Sequence, residues 1–205
     1  ENIILCTTNE SESDTLIDIC RDLGIDSYRG NKLDVMQRFL DAVNIKSDCK
    51  NIIRVTGDNP LTDPHTLLEM LDLHQKQSSD YTFTESIPIG TRAEIINLEF
   101  LKGLHKNIIN PENTEYMTYY LKKPLGHVIT NFKKKFSSIN TKDTLTLDTL
   151  EDLRYLQEVM KELNYDIYKN IDEIVNLINK SKLIKSKSST QAPILDMKDF
   201  KTIKE

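Results

Sequence analysis

The 205-residue sequence predicts an α/β fold, a mostly parallel sheet with helices on both faces. Two observations carry that prediction. In the first half of the chain, short apolar runs alternate with stretches of helical period, in the order strand, helix, strand, helix, strand, helix. Two of those runs, Asn2–Thr7 and Asn51–Thr56, read as buried strands rather than half-exposed ones.

Each element has its own signal. Ser11–Leu23 is a helix with Leu16, Ile19, Cys20 and Leu23 on one face; Ser11 and Asp14 form a capping-box start and Gly24 stops it. Asp26–Arg29 is a short extended piece broken by Gly30, and Leu33–Val43 is a helix turning Val35, Phe39 and Val43 inward. After the strand Asn51–Thr56 and the loop Gly57–Pro64, Asp63 caps a helix that Pro64 begins and that carries Leu67, Leu68 and Leu71. Tyr81–Thr84 and Ala93–Ile96 are strands around a loop with Pro88 and Gly90. Asn97 caps a helix to Leu104, and Asn110-Pro111 begins another that reaches about Lys123. Gly126–Phe132 and Thr144–Leu147 are strands. Thr149–Leu163 is a helix with Leu150, Leu153, Leu156 and Met160 on one face, and Ile171–Ile178 is the last helix. Residues 1–180 thus make one α/β domain, and the Ser/Lys-rich stretch from Ser181 reads as a linker and tail to Glu205.

Composition removes several function classes. There are 27 Lys+Arg against 32 Asp+Glu, a net charge of -5, which argues against a nucleic-acid partner. No apolar run approaches the ~20 residues of a membrane span. Cys6, Cys20 and Cys49 have no metal-ligand spacing and fit a reducing, cytoplasmic setting. The sequence opens on Glu1 and enters a core strand at once, so the expectation is that an N-terminal piece is absent and the domain incomplete.

The chemistry concentrates at two strand ends. In Arg54–Pro64 (RVTGDNPLTDP) a buried strand ends at Thr56, Gly57 permits a tight turn, and Asp58 is presented at the carboxyl end of the sheet. In Thr144–Leu153 (TLTLDTLEDL) a strand ends at Asp148 and a helix begins at once, with Asp148 or Thr149 as its cap and Glu151 or Asp152 at the third helical position. Asp58 alone reads equally as a turn or capping residue, and Asp148 alone reads better as a helix N-cap. Two strand-end carboxylates in one parallel sheet can converge on one Mg2+, which takes one or two carboxylates plus phosphate oxygens.

Arg54–Pro64 followed by Leu147–Leu153 resembles the cytidylyltransferases of the spore-coat polysaccharide biosynthesis protein F type, relatives of the acylneuraminate and 3-deoxy-manno-octulosonate cytidylyltransferases. Tyr28-Arg29-Gly30 with Asp34-Val35 and Arg38, Pro88-x-Gly90-x-x-x-Glu94, and Glu115–Tyr120 resemble further segments of that family in the same order. The resemblance implies a nucleotide-diphospho-sugar transferase (GT-A-like Rossmann) fold, and transfer of CMP from CTP to a sugar or sugar-like acid acceptor with release of pyrophosphate. It makes Asp58 and Asp148 the catalytic Mg2+ carboxylates. It places Arg29, Thr56, Gly57, Asp34 and Arg38 at the nucleotide and Gly90, Glu94 and Glu115 at the acceptor. Asp34 and Arg38, four apart on a helix, equally suit a plain salt bridge. A homodimer is implied by resemblance only.

The sequence departs from the family in one respect. The glycine-rich loop with an arginine and a lysine that holds the CTP triphosphate has no counterpart among its six glycines. The expectation is a fragment of a complete enzyme that on its own binds CTP/Mg2+ poorly. Two other functions stay open: a glycosyltransferase of related fold, against which Asp58-Asn59 in place of D-x-D counts, and a non-catalytic binding domain of a larger polypeptide.

Overall fold

The computed structural model describes residues 3–45, 48–108, 111–122, 126–134 and 144–181. The expected linker and tail beyond Ser181 lie outside the described residues. The chain forms two units: one from the residues up to Ile52 together with Asn97–His127, the other from Ile53–Ile96 and the residues from Val128.

In the first unit, β1 (Ile4–Thr8) and β2 (Asp26–Gly30) pair in parallel, from Ile4 opposite Asp26 to Thr8 opposite Gly30. The crossover is a 3-10 turn, Ser11–Ser13, and α1 (Asp14–Leu23). Gly24 closes α1 at φ 66°, with its N–H on the Arg21 carbonyl. The expected Ser11–Asp14 capping box does not form; the Ser13 hydroxyl turns to those of Thr7 and Thr8, at 2.8 and 3.1 Å. The α1 apolar stripe is not core either. Cys20 is buried, while Leu16, Ile19 and Leu23 remain exposed. α2 (Val35–Val43), capped by Asp34, packs against α4 (Leu98–Asn107), capped by Asn97. Met36, Phe100, Leu101 and Leu104 fill this unit together with Met117 and Leu121 of α5 (Met117–Leu121). The expected single helix from Asn110 runs instead as a 3-10 segment, Pro111–Tyr116, before α5.

β3 (Asn51–Arg54), two residues shorter than expected, carries the chain into the second unit. Its sheet has the order β3-β5-β4-β6, with β4 (Tyr81–Thr84) parallel to β6 (Ile129–Phe132) and antiparallel to β5 (Glu94–Asn97). Two of the three strand pairings with an assigned direction are therefore parallel. α6 (Leu150–Glu162) and α7 (Ile171–Ser181) close a core of Leu61, Ile87, Leu145, Leu156, Val159, Leu163, Ile171 and Ile174. Each such aliphatic side chain contributes about 1.5–3 kcal/mol through burial. The expected strand Thr144–Leu147 does not form, and the segment joins no ladder among the described residues. Its Leu145 N–H donates to the Ile89 carbonyl and its Leu147 N–H to the Asp58 carbonyl, so it pairs with loops.

α3 (Pro64–Lys76) buries Thr66, Met70 and His74 rather than the expected leucines, and Leu68 is exposed. Asp63 caps it by accepting from the His65 and Thr66 N–H groups. His74, 3% exposed, holds the Thr82 hydroxyl at 2.9 Å, and burial pushes its imidazole below the ordinary range. The fold therefore favours neutral His74. Below about pH 6.5 the unfolded chain takes up a proton that the native state resists, so stability is full above that value and falls as the pH drops. Urea midpoints are expected to fall between pH 7.5 and 5.5, with part of that fall absent in His74→Gln. An equal fall in the variant would assign it to other groups.

Candidate functional site

In unit two a backbone hydrogen bond joins the two loop segments that carry Asp58 and Asp148. After β3 the chain turns at Thr56–Asn59, closed by the Asn59 N–H on the Thr56 carbonyl at 3.0 Å. Asp58 is exposed on that turn, and no described residue bonds to its carboxylate. Its backbone carbonyl accepts from the Leu147 N–H at 2.8 Å, which brings the Asp58 turn beside the segment ending in Asp148.

Asp148 is not a helix cap. Thr149 caps α6 in a complete capping box with Asp152. The Asp152 carboxylate, on a residue 2% exposed, accepts from the Asp148 N–H at 3.2 Å, the Thr149 N–H at 2.9 Å and the Thr149 hydroxyl at 2.8 Å. The Asp148 side chain is exposed and left to other uses, held by the Thr146 hydroxyl donating to Oδ2 at 2.8 Å. Asp58 fares likewise, since Asp63 and not Asp58 caps α3.

The two residues of this unit that the resemblance assigns to the acceptor, Gly90 and Glu94, have partners within the fold. Gly90 adopts φ 95°, and a Cβ there would stand 2.1 Å from the Leu145 carbonyl carbon and 2.4 Å from the Thr146 nitrogen. The backbone it approaches is thus the chain's own, just before Asp148. Glu94 is bonded to Arg54 and to the Tyr81 hydroxyl, on neighbouring strands of the sheet. Sequence reasoning missed Thr146, Arg54, Tyr81 and Arg92. Arg92 donates to the Ile87 carbonyl at 2.8 Å and the Glu85 carbonyl at 3.3 Å and so fixes the Glu85–Arg92 loop. The consecutive T-x-D and T-x-x-D patterns of Thr146–Asp152 were the available signal for Thr146.

In unit one, Arg29 donates to the Thr8 carbonyl at 3.0 Å, the Glu10 carbonyl at 2.6 Å and Asp14 at 2.7 Å, and so clasps the loop after β1. Asp34 does not pair with Arg38. Its carboxylate accepts from the Gln37 N–H (2.9 Å) and the Thr114 hydroxyl (3.2 Å) and pairs with His105 Nε2 (2.8 Å), while Arg38 donates to the Asn31 carbonyl at 2.9 Å. Asp34→Ala takes that acceptor from the Gln37 N–H and His105, leaves the Thr114 hydroxyl with the Leu33 carbonyl at 3.4 Å, and is expected to destabilise the protein by about 3 kcal/mol, read by thermal melting. A melting point within about 2 °C of wild type would show the cluster to be expendable. The Glu115 side chain lies outside the described residues.

Among the described residues no three or more His, Cys, Asp or Glu side chains gather as a metal cage. The exposed carboxylates on the two joined segments, Asp58 and Asp148, are the ones that could serve as metal ligands. Such a pair suits Mg2+, which keeps waters and completes its shell with substrate phosphate oxygens, better than a metal requiring an all-protein cage. No helix among the described residues is long and apolar enough to cross a membrane.

A model described as cytidylyltransferase matches residues 1–189. The chain is 27% identical over 190 residues to an uncharacterized protein of Methanocaldococcus jannaschii, covering 92% of this chain and 77% of that protein. It is 26% identical over 183 residues to the spore coat polysaccharide biosynthesis protein SpsF of Bacillus subtilis, covering 88% and 76%. A solved cytidylyltransferase from Leptospira borgpetersenii matches with a TM-score of 0.80 at 24% identity, over 93% of this chain and 82% of that one, a likeness of fold.

Proposed function

We propose, from the premise that this chain belongs to the cytidylyltransferase family, that it takes part in transfer of CMP from CTP to a sugar or sugar-like acid in polysaccharide biosynthesis. An acceptor oxygen attacks the α-phosphorus of CTP, the bond from that phosphorus to the bridging oxygen breaks, and pyrophosphate leaves. The acceptor's proton passes to solvent. The observation that carries this reading is the Leu147 N–H to Asp58 carbonyl bond, which joins the two segments ending in exposed carboxylates.

Asp58 and Asp148 would hold Mg2+. When bound there, the ion would supply positive charge to offset that of the phosphates. The protein's own work is positioning, and no covalent nucleophile is called for. Gly57 leaves the backbone open beside Asp58, since a Cβ there would meet nothing within 4 Å, and Thr56 belongs to the nucleotide side by resemblance. The N-terminal end of α6, next to Asp148, adds the partial positive charge of a helix start. Arg29, Asp34 and Arg38 belong to the nucleotide side by resemblance, and Glu94 to the acceptor side. The free thiols of Cys6, Cys20 and Cys49 fit a cytoplasmic enzyme, and a homodimer follows from the resemblance.

Pyrophosphate release by the full-length protein tests this, with CTP, Mg2+ and a panel of acylneuraminates, other ulosonic acids and sugar phosphates. Release with CTP well above that with ATP, GTP or UTP, and dependent on one acceptor class, is the expected result. Nucleoside diphosphate release from a nucleotide sugar would favour the glycosyltransferase reading instead.

A further inference from the structure

We infer that Thr146 is a positioning residue for the metal carboxylate Asp148. The inference rests on the Mg2+ reading of Asp58 and Asp148. Thr146 is 9% exposed, and its hydroxyl donates to Asp148 Oδ2 at 2.8 Å. That is the only bond that a described residue makes to this carboxylate.

The backbone that carries Thr146 is itself held on both sides. The Leu145 N–H donates to the Ile89 carbonyl at 2.7 Å, and the Gly90 Cα packs against the Leu145–Thr146 peptide so closely that no Cβ fits between them. Leu147 is tied to the Asp58 carbonyl at 2.8 Å. On the far side, the Asp148 N–H is taken by Asp152 of the capping box. The backbone on either side of Asp148 is therefore pinned, which leaves the aspartate's own side-chain torsions as its remaining freedom. The Thr146 hydroxyl removes that freedom. It occupies Oδ2 and leaves Oδ1 of this exposed side chain unbonded by any described residue, so the carboxylate is oriented before any cation arrives. Hydrogen bonds of this kind to a ligating carboxylate typically matter 10–100-fold in metal affinity.

Thr146→Val keeps the shape of this nearly buried residue and deletes the hydroxyl; Thr146→Ser keeps the hydroxyl and deletes the methyl. Mn2+ alone, titrated onto the full-length protein and read by water-proton relaxation, is the probe, with thermal melting alongside. The expected result is a Mn2+ dissociation constant raised about tenfold in Thr146→Val and within about twofold of wild type in Thr146→Ser, with both variants melting as cooperatively as wild type. Asp148→Asn is the control for the metal site. If Asp148→Asn weakens Mn2+ and Thr146→Val does not, the positioning role is overturned while the metal reading stands. If wild type and Asp148→Asn bind Mn2+ alike, both fall. Equal weakening in Val and Ser variants would assign the effect to packing and overturn the role of the hydroxyl. Should Thr146→Val fail to fold, Thr146→Ser still decides, since a weakening there to the level of Asp148→Asn contradicts the inference.

Discussion

Asp148→Asn and Asp58→Asn are each expected to lower CMP transfer about a thousandfold, about 4 kcal/mol of transition-state stabilisation, and to leave the melting temperature nearly unchanged. Both side chains are exposed, and neither carries a cap. The change to Asn preserves shape and removes the charge that a divalent cation needs. The local contrast makes the test sharp. Thr149→Ala and Asp152→Ala break the α6 capping box a few residues away and are expected to cost about 1 kcal/mol of stability. Asp148→Ala, although adjacent, is expected to cost little. If Asp148 worked as a cap, the order would reverse: Ala would destabilise, and Asn, itself a good cap, would do no harm. Activity of either Asn variant within tenfold of wild type would remove the carboxylate pair from the reaction.

Much of this was legible from residue order, and the limits have physical causes. Most strand positions followed from apolar runs, but the two aspartates do not stand at strand ends: β3 stops at Arg54, and Thr144–Leu147 spends its N–H groups on the Ile89 and Asp58 carbonyls, partners that lie far along the chain. The inner faces of helices were harder. On α3 the buried positions are Thr66, Met70 and His74, spaced four apart, but two of the three are polar and become tolerable inside only through Asp63 and Thr82. Hydrophobic patterning cannot see partners of that kind, so it chose Leu67, Leu68 and Leu71, one face too far round. α6 repeats the effect, because Asp152 is buried by the box it completes and Leu150 stays in solvent. The Asp34 carboxylate shows the same limit at the candidate site. Two of its partners, His105 and Thr114, lie about 70 and 80 positions further along the chain, beyond the reach of any local spacing rule.

Gly90→Ala is expected to cost about 3 kcal/mol of stability, about 10 °C in melting temperature, and to weaken Mn2+ binding as well. The φ of 95° disfavours any L side chain. The steric conflict is with backbone atoms of Leu145 and Thr146 at 2.1–2.4 Å, which cannot rotate aside. The turn carrying Gly90 is also poorly able to yield. The Thr91 hydroxyl and N–H both donate to the Pro88 carbonyl, at 2.8 and 3.3 Å, and Arg92 grips the Ile87 carbonyl. The strain therefore passes to the Leu145–Thr146 peptide. Leu145 is anchored in the core, so the displacement emerges at Thr146 and Asp148. Gly57→Ala is the matched comparison, because a Cβ there meets nothing within 4 Å and stability should change by under about 1 kcal/mol. A loss of activity in that variant would then report on approach of the nucleotide. The two glycines separate the roles: if Gly90 served only to admit an acceptor, Gly90→Ala would raise the acceptor KM with normal melting and normal Mn2+ binding, whereas a change in all three together ties this loop to the placement of Asp148.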